Sequence, residues 1–229
     1  MSASALTPSE LLAIWERGDG QRPSRRALAM LAGTAPHASP DELAAMPIGR
    51  RDASLVELRA RVFGDAFTGV TTCPACGEAI ELAFDADEVR REAGSDGPLS
   101  IHGMDVRLPN TADLAAIERC QDVASARREL LARCVTREEL PPDVEEAVIA
   151  AMADANPQAD VTIDAACPVC AHAWREPFDI VTFLWTELAV AARRLIADVH
   201  TLAATYGWSE ADILALSPAR RNAYLEMLR

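Results

Sequence analysis

Apolar positions in the first 65 residues recur at three- and four-residue steps between turn residues, a pattern that predicts helices. Thr7-Pro8-Ser9-Glu10 is a capping box with proline at the first helical position. It opens a helix carrying Leu11, Leu12, Ile14 and Trp15, which Gly18-Asp19-Gly20 ends. Residues 22–31 predict a second helix, with Leu28 and Leu31 on one face and Gly33 as its stop. Ser39-Pro40-Asp41-Glu42 is another capping box and opens a short turn to Met46. Pro47-Ile48-Gly49 breaks the chain, and a third helix follows over 51–63 with Leu55, Val56, Leu58 and Val62 as its apolar positions. Gly64 stops it.

The period then changes from 3.6 to 2. Thr68-Gly69-Val70-Thr71-Thr72 and Ile80-Glu81-Leu82-Ala83-Phe84 are β-prone runs, and so are Val161-Thr162-Ile163 and Trp174-Arg175-Glu176-Pro177-Phe178. Leu99-Ser100-Ile101 and Val106-Arg107-Leu108 alternate around His102-Gly103, as a further hairpin would. Helical spacing returns at Leu114, Ile117, Val123, Leu130, Leu131 and Val135, after Asn110 with Asp113 as a cap and with a bend near Asp122. Thr136-Arg137-Glu138-Glu139 and Pro141-Pro142 open another helix, carrying Val144, Val148, Ile149 and Met152 and ended by Asn156-Pro157. The longest helix is expected over 180–205, its stripe formed by Val181, Leu184, Leu188, Ala191, Leu195, Val199 and Leu202, with Gly207 as its stop. Ser209 and Ser217-Pro218 start two short tail helices.

Between the β-prone runs lie two clusters, Cys73-Pro74-Ala75-Cys76 and Cys167-Pro168-Val169-Cys170. At an offset of 94 residues Cys73 meets Cys167, Ile80 meets Trp174, Phe84 meets Phe178 and Asp85 meets Asp179. The unit strand–knuckle–strand is therefore present twice. Two C-x-x-C grips supply the four thiolates of a tetrahedral structural site, so one Zn²⁺ held by Cys73, Cys76, Cys167 and Cys170 is expected. Gly77 follows the first pair, whereas Ala171 takes that place after the second, a less suitable residue for a turn that needs positive φ. A thioredoxin-type redox role needs a C-x-x-C at a helix start, and both pairs lie between strands. The 90 residues between the pairs exceed any structureless loop of a compact domain and must hold their own structure.

The fold class expected is α+β, mostly helical: a small antiparallel zinc-ribbon-like β module with a helical insertion, flanked by helices at both ends. The regions are 1–66, helical; 67–179, the ribbon, with a hairpin and helical insertion over about 98–157; and 180–229, helical.

Charge narrows the function. The chain of 229 residues carries 35 acidic against 22 basic side chains, a net −13. Binders of phosphate backbones show a basic excess, so no nucleic-acid partner is expected. No apolar run reaches membrane-spanning length and no signal-peptide pattern opens the chain, so a cytoplasmic protein with reduced thiols and no membrane partner is expected. Cys120 and Cys134 read as buried small apolar residues. His172, two after Cys170, is the one alternative ligand; His37, His102 and His200 stand alone. Glu138-Glu139 and Glu145-Glu146 read as solvated helix faces. Phosphate-loop, G-x-S-x-G and H-E-x-x-H motifs are absent, which favours a non-enzymatic protein. Arg50 and Arg51 follow a glycine break and are candidates for docking an acidic partner; the competing reading is a helix start with Asp52 near its positive end.

The order of motifs carries a resemblance. Pro47-Ile48-Gly49-Arg50-Arg51-Asp52, then Leu55, Leu58-Arg59 and Phe63-Gly64, then Cys73-Pro74-Ala75-Cys76-Gly77, resembles the T4-type phage baseplate protein family. Val106-Arg107-Leu108-Pro109 with Asp113-Leu114, and Tyr206-Gly207-Trp208-Ser209-Glu210 through Leu216-Ser217, are similar to it as well. The paired cysteine knuckles depart from the shorter phage-type members. Such membership implies baseplate or hub proteins of a contractile tail or injection system as partners. It implies a role as a structural part or as an assembly chaperone. The alternative is a zinc-ribbon regulatory or nucleic-acid adaptor, against which the charge balance speaks.

Overall fold

A computed structural model of the chain describes residues 6–35, 37–92, 94, 97–137 and 140–228. Glu138-Glu139 and the middle of the Gly94–Gly97 loop lie outside the described residues. The chain is α+β and mostly helical, with three separate two-stranded antiparallel sheets among the described residues.

The N-terminal helices are α1 (Pro8–Gly18), α2 (Pro23–Ala32), α3 (Pro40–Ala45) and α4 (Ile48–Phe63). Thr7 and Ser39 each close a capping box, with Glu10 and Glu42 three residues on. Gly49 is not a breaker, as expected from the sequence, but lies in the first turn of α4. A side chain there would run into Asn156, so glycine permits the close approach of α4 to that residue.

The first hairpin is β1 (Ala66–Thr72) with β2 (Ala79–Asp85), and a short helix α5 (Ala86–Val89) follows. The insertion holds β3 (Leu99–Ile101) paired with β4 (Met104–Val106), then α6 (Thr111–Ile117), α7 (Val123–Cys134) and α8 (Pro142–Ala155). A single 3₁₀ turn, Pro157–Ala159, leads to the second hairpin, β5 (Thr162–Ala166) with β6 (Ala173–Pro177). The tail is α9 (Ile180–Tyr206), α10 (Glu210–Leu214) and α11 (Pro218–Glu226). The bend expected near Asp122 is a complete break, because its carboxylate caps a new helix at Ser125.

One core crosses both expected region boundaries. Ile14, Met30, Leu31 and Leu55 from the N-terminal helices pack with Phe67 and Phe84 from the first hairpin and with Val181, Leu184 and Leu188 from α9. The insertion has its own core, Val106, Leu108, Leu131, Cys134, Val148 and Met152. It is tied to the rest through α6: the Glu118 carboxylate accepts from the backbone N–H of Ser24 at 2.9 Å and from its hydroxyl at 3.0 Å. That supplies the N-terminal cap that Arg22 does not give α2. Asp113, 1 % exposed, accepts both guanidinium arms of Arg107 at 2.5 and 2.8 Å and Nε of Arg133 at 2.9 Å. It also closes the capping box of α6 with Asn110. At the far end Arg221 pairs with Asp198 at 3.2 Å, and Tyr206, Trp208 and Tyr224 stack where α9 turns into α10.

Candidate metal centre

The two hairpins are built by the same backbone scheme. In the first, the N–H of Cys73 donates to the carbonyl of Glu78 at 2.8 Å, and the N–H of Gly77 donates to Cys73 at 2.9 Å. In the second, Cys167 donates to His172 at 2.8 Å and Ala171 to Cys167 at 2.9 Å. Gly77 and Ala171 both sit at positive φ, 78° and 58°. Alanine bears a steric cost there of about 1–2 kcal/mol that glycine avoids, so the second turn is the strained one. Equivalent residues also meet. Ile80 and Trp174 pack beneath the cysteines in one small cluster. Below them the rings of Phe84 and Phe178 meet edge to face at 5.4 Å, with Phe67 and Phe183 closing the aromatic base. Asp85 and Asp179 then serve as N-cap residues of α5 and α9.

This arrangement brings the sulfurs of Cys73, Cys76, Cys167 and Cys170 within 4.8 Å of one another. Two approaches cross between hairpins: Cys73 to Cys170 at 3.7 Å and Cys76 to Cys167 at 3.6 Å. A zinc ion bonds thiolate sulfur at about 2.3 Å, which sets the sulfur–sulfur edge of a tetrahedron at about 3.8 Å. These two cross-hairpin edges match that length, and the four thiols are close enough together to hold one metal ion. Cys73 and Cys167 are buried, and Cys76 and Cys170 face solvent, so the cluster is anchored on one side and open to ion entry on the other.

The thiols are electrostatically unlike. The backbone N–H of Cys170, helped by that of Val169 and by neighbouring thiols, brings Cys167 down to about 7 against its desolvation. The N–H of Glu78 draws Cys76 down, yet desolvation and the three neighbouring sulfurs outweigh it and push the thiol up to about 12. The Cys167 thiolate thus forms readily near neutral pH, and a cation at the centre would favour ionising Cys76 and Cys170, whose thiols are pushed up. Four thiolates close the coordination sphere and leave no position for substrate, which is the pattern of a structural site.

The other candidates lie apart from this cluster. His172 is exposed and stacks on Trp174 at 6.0 Å, outside the group of four. Cys134 is buried in the insertion core, where burial pushes its thiol up to about 11. Cys120 departs from the sequence expectation, because it is only half-buried, in the turn after α6. His37, His102 and His200 are exposed. Arg50 and Arg51 do not form a joint surface. Arg50 is exposed, but Arg51 is 5 % exposed and its Nε bonds Asp52 at 2.7 Å inside the fold. Burial pushes the Asp52 carboxyl above its ordinary range despite that partner.

Sequence reasoning named Arg59 only within a family-like motif and gave it no structural role. It is 3 % exposed and makes a bidentate pair with Glu187 at 2.9 and 2.7 Å. Its remaining arm donates to the carbonyls of Gly64 and Ala66 at 2.6 and 2.7 Å, where α4 turns into β1. The guanidinium also covers the Phe67 ring at 3.9 Å. One side chain therefore sets the first hairpin against α9. A single arginine at an i+4 step from Leu55 looks like a solvated position, and no local signal reveals its burial. No helix among the described residues is long and apolar enough to cross a membrane. Comparison with known proteins gives no match to a family model, to a curated protein or to a solved structure.

Proposed function

We propose that this chain is a non-enzymatic protein, stapled by one structural Zn²⁺, that holds another protein while the baseplate or hub of a contractile tail is built in the cytoplasm. The observation that carries the zinc assignment is the fit of four sulfurs, drawn from two duplicated hairpins, to the edge of a zinc–thiolate tetrahedron. Thiolate sets of this shape favour zinc among common divalent ions. Once bound, the ion balances the thiolate charge and fixes the distance between the knuckles. Everything else the site does is done by the chain. The Cys170 and Val169 N–H groups favour the Cys167 thiolate, and Ile80 and Trp174 exclude water beneath it.

The baseplate assignment rests on the order of sequence motifs, and several of those residues have structural work that explains their type. Arg59 joins α4, β1 and α9. Arg107 and Asp113 join β4 to α6. Tyr206 and Trp208 seat α11 at the end of α9. A net charge of −13 suits a protein partner and opposes a phosphate backbone. Two measurements test the reading. Metal analysis of the purified full chain should return one zinc per chain; a folded, metal-free protein with four free thiols refutes the staple. Affinity capture from cells assembling the particle should retain baseplate or hub proteins, and deletion of the gene should leave tubes and sheaths unattached to baseplates. Normal particles in the deletion strain, with RNA or DNA captured instead, would establish the zinc-ribbon adaptor.

A further inference from the structure

The charge of this chain is not spread evenly. Residues 66–88 carry five acidic side chains and no basic one, and residues 160–188 carry five acidic side chains against Arg175 alone. These two stretches are the hairpins, α5 and the start of α9, and they hold −9 of the chain's −13, of which Asp87 is paired with Arg90 and Glu187 with Arg59. Between the hairpins and α9 runs a groove of about 430 Å³. Its floor is apolar, formed by Leu82, Phe84, Ile163 and Phe183, and Glu176 and Glu187 stand on its rim.

Four consecutive residues of β1, Thr68, Gly69, Val70 and Thr71, line one wall. The bond from the Cys73 N–H to Glu78, and that from Ala86 to Asp65, fix the parity of the ladder. With the observed register, residues 67, 69 and 71 bond inward to β2, so the N–H and C=O groups of Thr68 and Val70 point away from it. Among the described residues no third strand receives them. Chains normally blunt such an edge with charge or proline. The second hairpin does so, through Asp164, Arg175 and Pro177. Ala-Phe-Thr-Gly-Val-Thr-Thr of β1 has neither, and Val70 at its centre is 77 % exposed. Gly69 leaves the groove open beside Phe183, since even an added Cβ would stand 3.5 Å from that ring.

We propose that the β1 edge receives an extended basic segment of a partner protein, which adds as a third strand to the first hairpin. Its alternate apolar side chains enter the groove over Leu82, Phe84 and Phe183. Its basic side chains lie on the outer face, on the side of Val70 and Glu81, which are cross-strand partners. Backbone pairing supplies affinity, and the groove and the charge supply selectivity. The proposal deepens the function above and rests on the reading that the chain works by holding another protein.

The test uses the zinc-loaded full chain and a fluorescent peptide, Lys-Val-Lys-Val-Lys-Val-Lys, as long as β1. Binding is compared with the same peptide N-methylated along its backbone, which keeps the charge and removes the N–H groups that would complete the ladder. The unmodified peptide should bind more tightly, and hydrogen exchange should slow at Thr68 and Val70. Val70→Pro removes an outward N–H without touching the β1–β2 ladder and should weaken binding about tenfold. Val70→Lys keeps the N–H on an exposed side chain and should weaken it about threefold by repulsion. Equal binding of the two peptides, or wild-type affinity in Val70→Pro, overturns the proposal. Loss of this peptide's binding while particle proteins are still captured removes the surface and leaves the assembly function. Strand addition without any particle protein captured does the reverse.

Discussion

Arg59→Ala should be among the most damaging single substitutions outside the cysteines. The guanidinium is nearly solvent-free and makes four hydrogen bonds, two to Glu187 and one each to the carbonyls of Gly64 and Ala66. Removing it leaves two backbone acceptors without donors, at about 1–3 kcal/mol each. The Glu187 side chain is 27 % exposed and regains some hydration, so its loss is smaller than for a fully buried partner. The contact over Phe67 contributes about 1 kcal/mol more. These losses overlap, and the net expectation is about 3–5 kcal/mol, a large share of a typical stability of about 5–15 kcal/mol. Urea unfolding of the zinc-loaded chain, followed by circular dichroism, measures it. Arg59→Lys should recover less than half of the loss, because an ammonium cannot fork across both Glu187 oxygens while also reaching Gly64 and Ala66. A double-mutant cycle with Glu187→Gln should give a coupling of about 1–3 kcal/mol. An Arg59→Ala midpoint within about 1 kcal/mol of wild type would refute the idea that this side chain sets the hairpin against α9.

Cys167→Ser should abolish stoichiometric zinc and raise hydrogen exchange in both knuckles, while the C-terminal half of α9 with α10 stays protected because Ala192, Leu195 and Leu214 pack on α1 away from the hairpins; unchanged exchange in the hairpins contradicts this. Asp113 carries a pH-dependent term. Burial raises its pKa, but Arg107, the Asn110 N–H and Arg133 together hold it below the ordinary value. Its contribution is therefore complete above the unfolded value of about 4 and is lost as pH falls toward the lowered folded one. Asp113→Asn should cost about 2–3 kcal/mol at neutral pH and make the acid limb of the stability profile shallower; parallel profiles for the two proteins would exclude this residue as the cause.

What could be read in the sequence was local. The Thr7, Ser39 and Asn110 capping boxes need only three neighbouring residues, and all three form. The four-cysteine cluster was legible despite its 90-residue gap because the unit is repeated, so each half predicts the other. Positions whose fate is decided by a distant partner were not legible. Arg51 and Arg59 both belong to a helix rich in arginine, and only the arrival of α9, with Glu187, shows that Arg59 is internal. Gly49 read as a breaker until Asn156 supplied the reason for a missing side chain. Ala192, not Ala191, is the fully buried alanine of α9, a one-step error from drawing a straight stripe on a long helix. Cys120 read as buried and is only half-buried, in the turn after α6.

The duplicated hairpins have a consequence for the order in which the molecule can be made. Ribosomes add about 5–20 residues per second, so the second cysteine pair, 94 residues after the first, emerges roughly 5–20 s later. Throughout that interval Cys73 and Cys76 are half of a binding site. The β3–β4 hairpin, α7 and α8 all leave the ribosome before Cys167 does, with every side chain of the insertion core among them. Helices and local hairpins form in microseconds, far faster than synthesis proceeds. A metal ion taken up by the four cysteines would then close over an insertion already shaped and docked through Glu118 onto α2, ahead of α9 to α11, which emerge later.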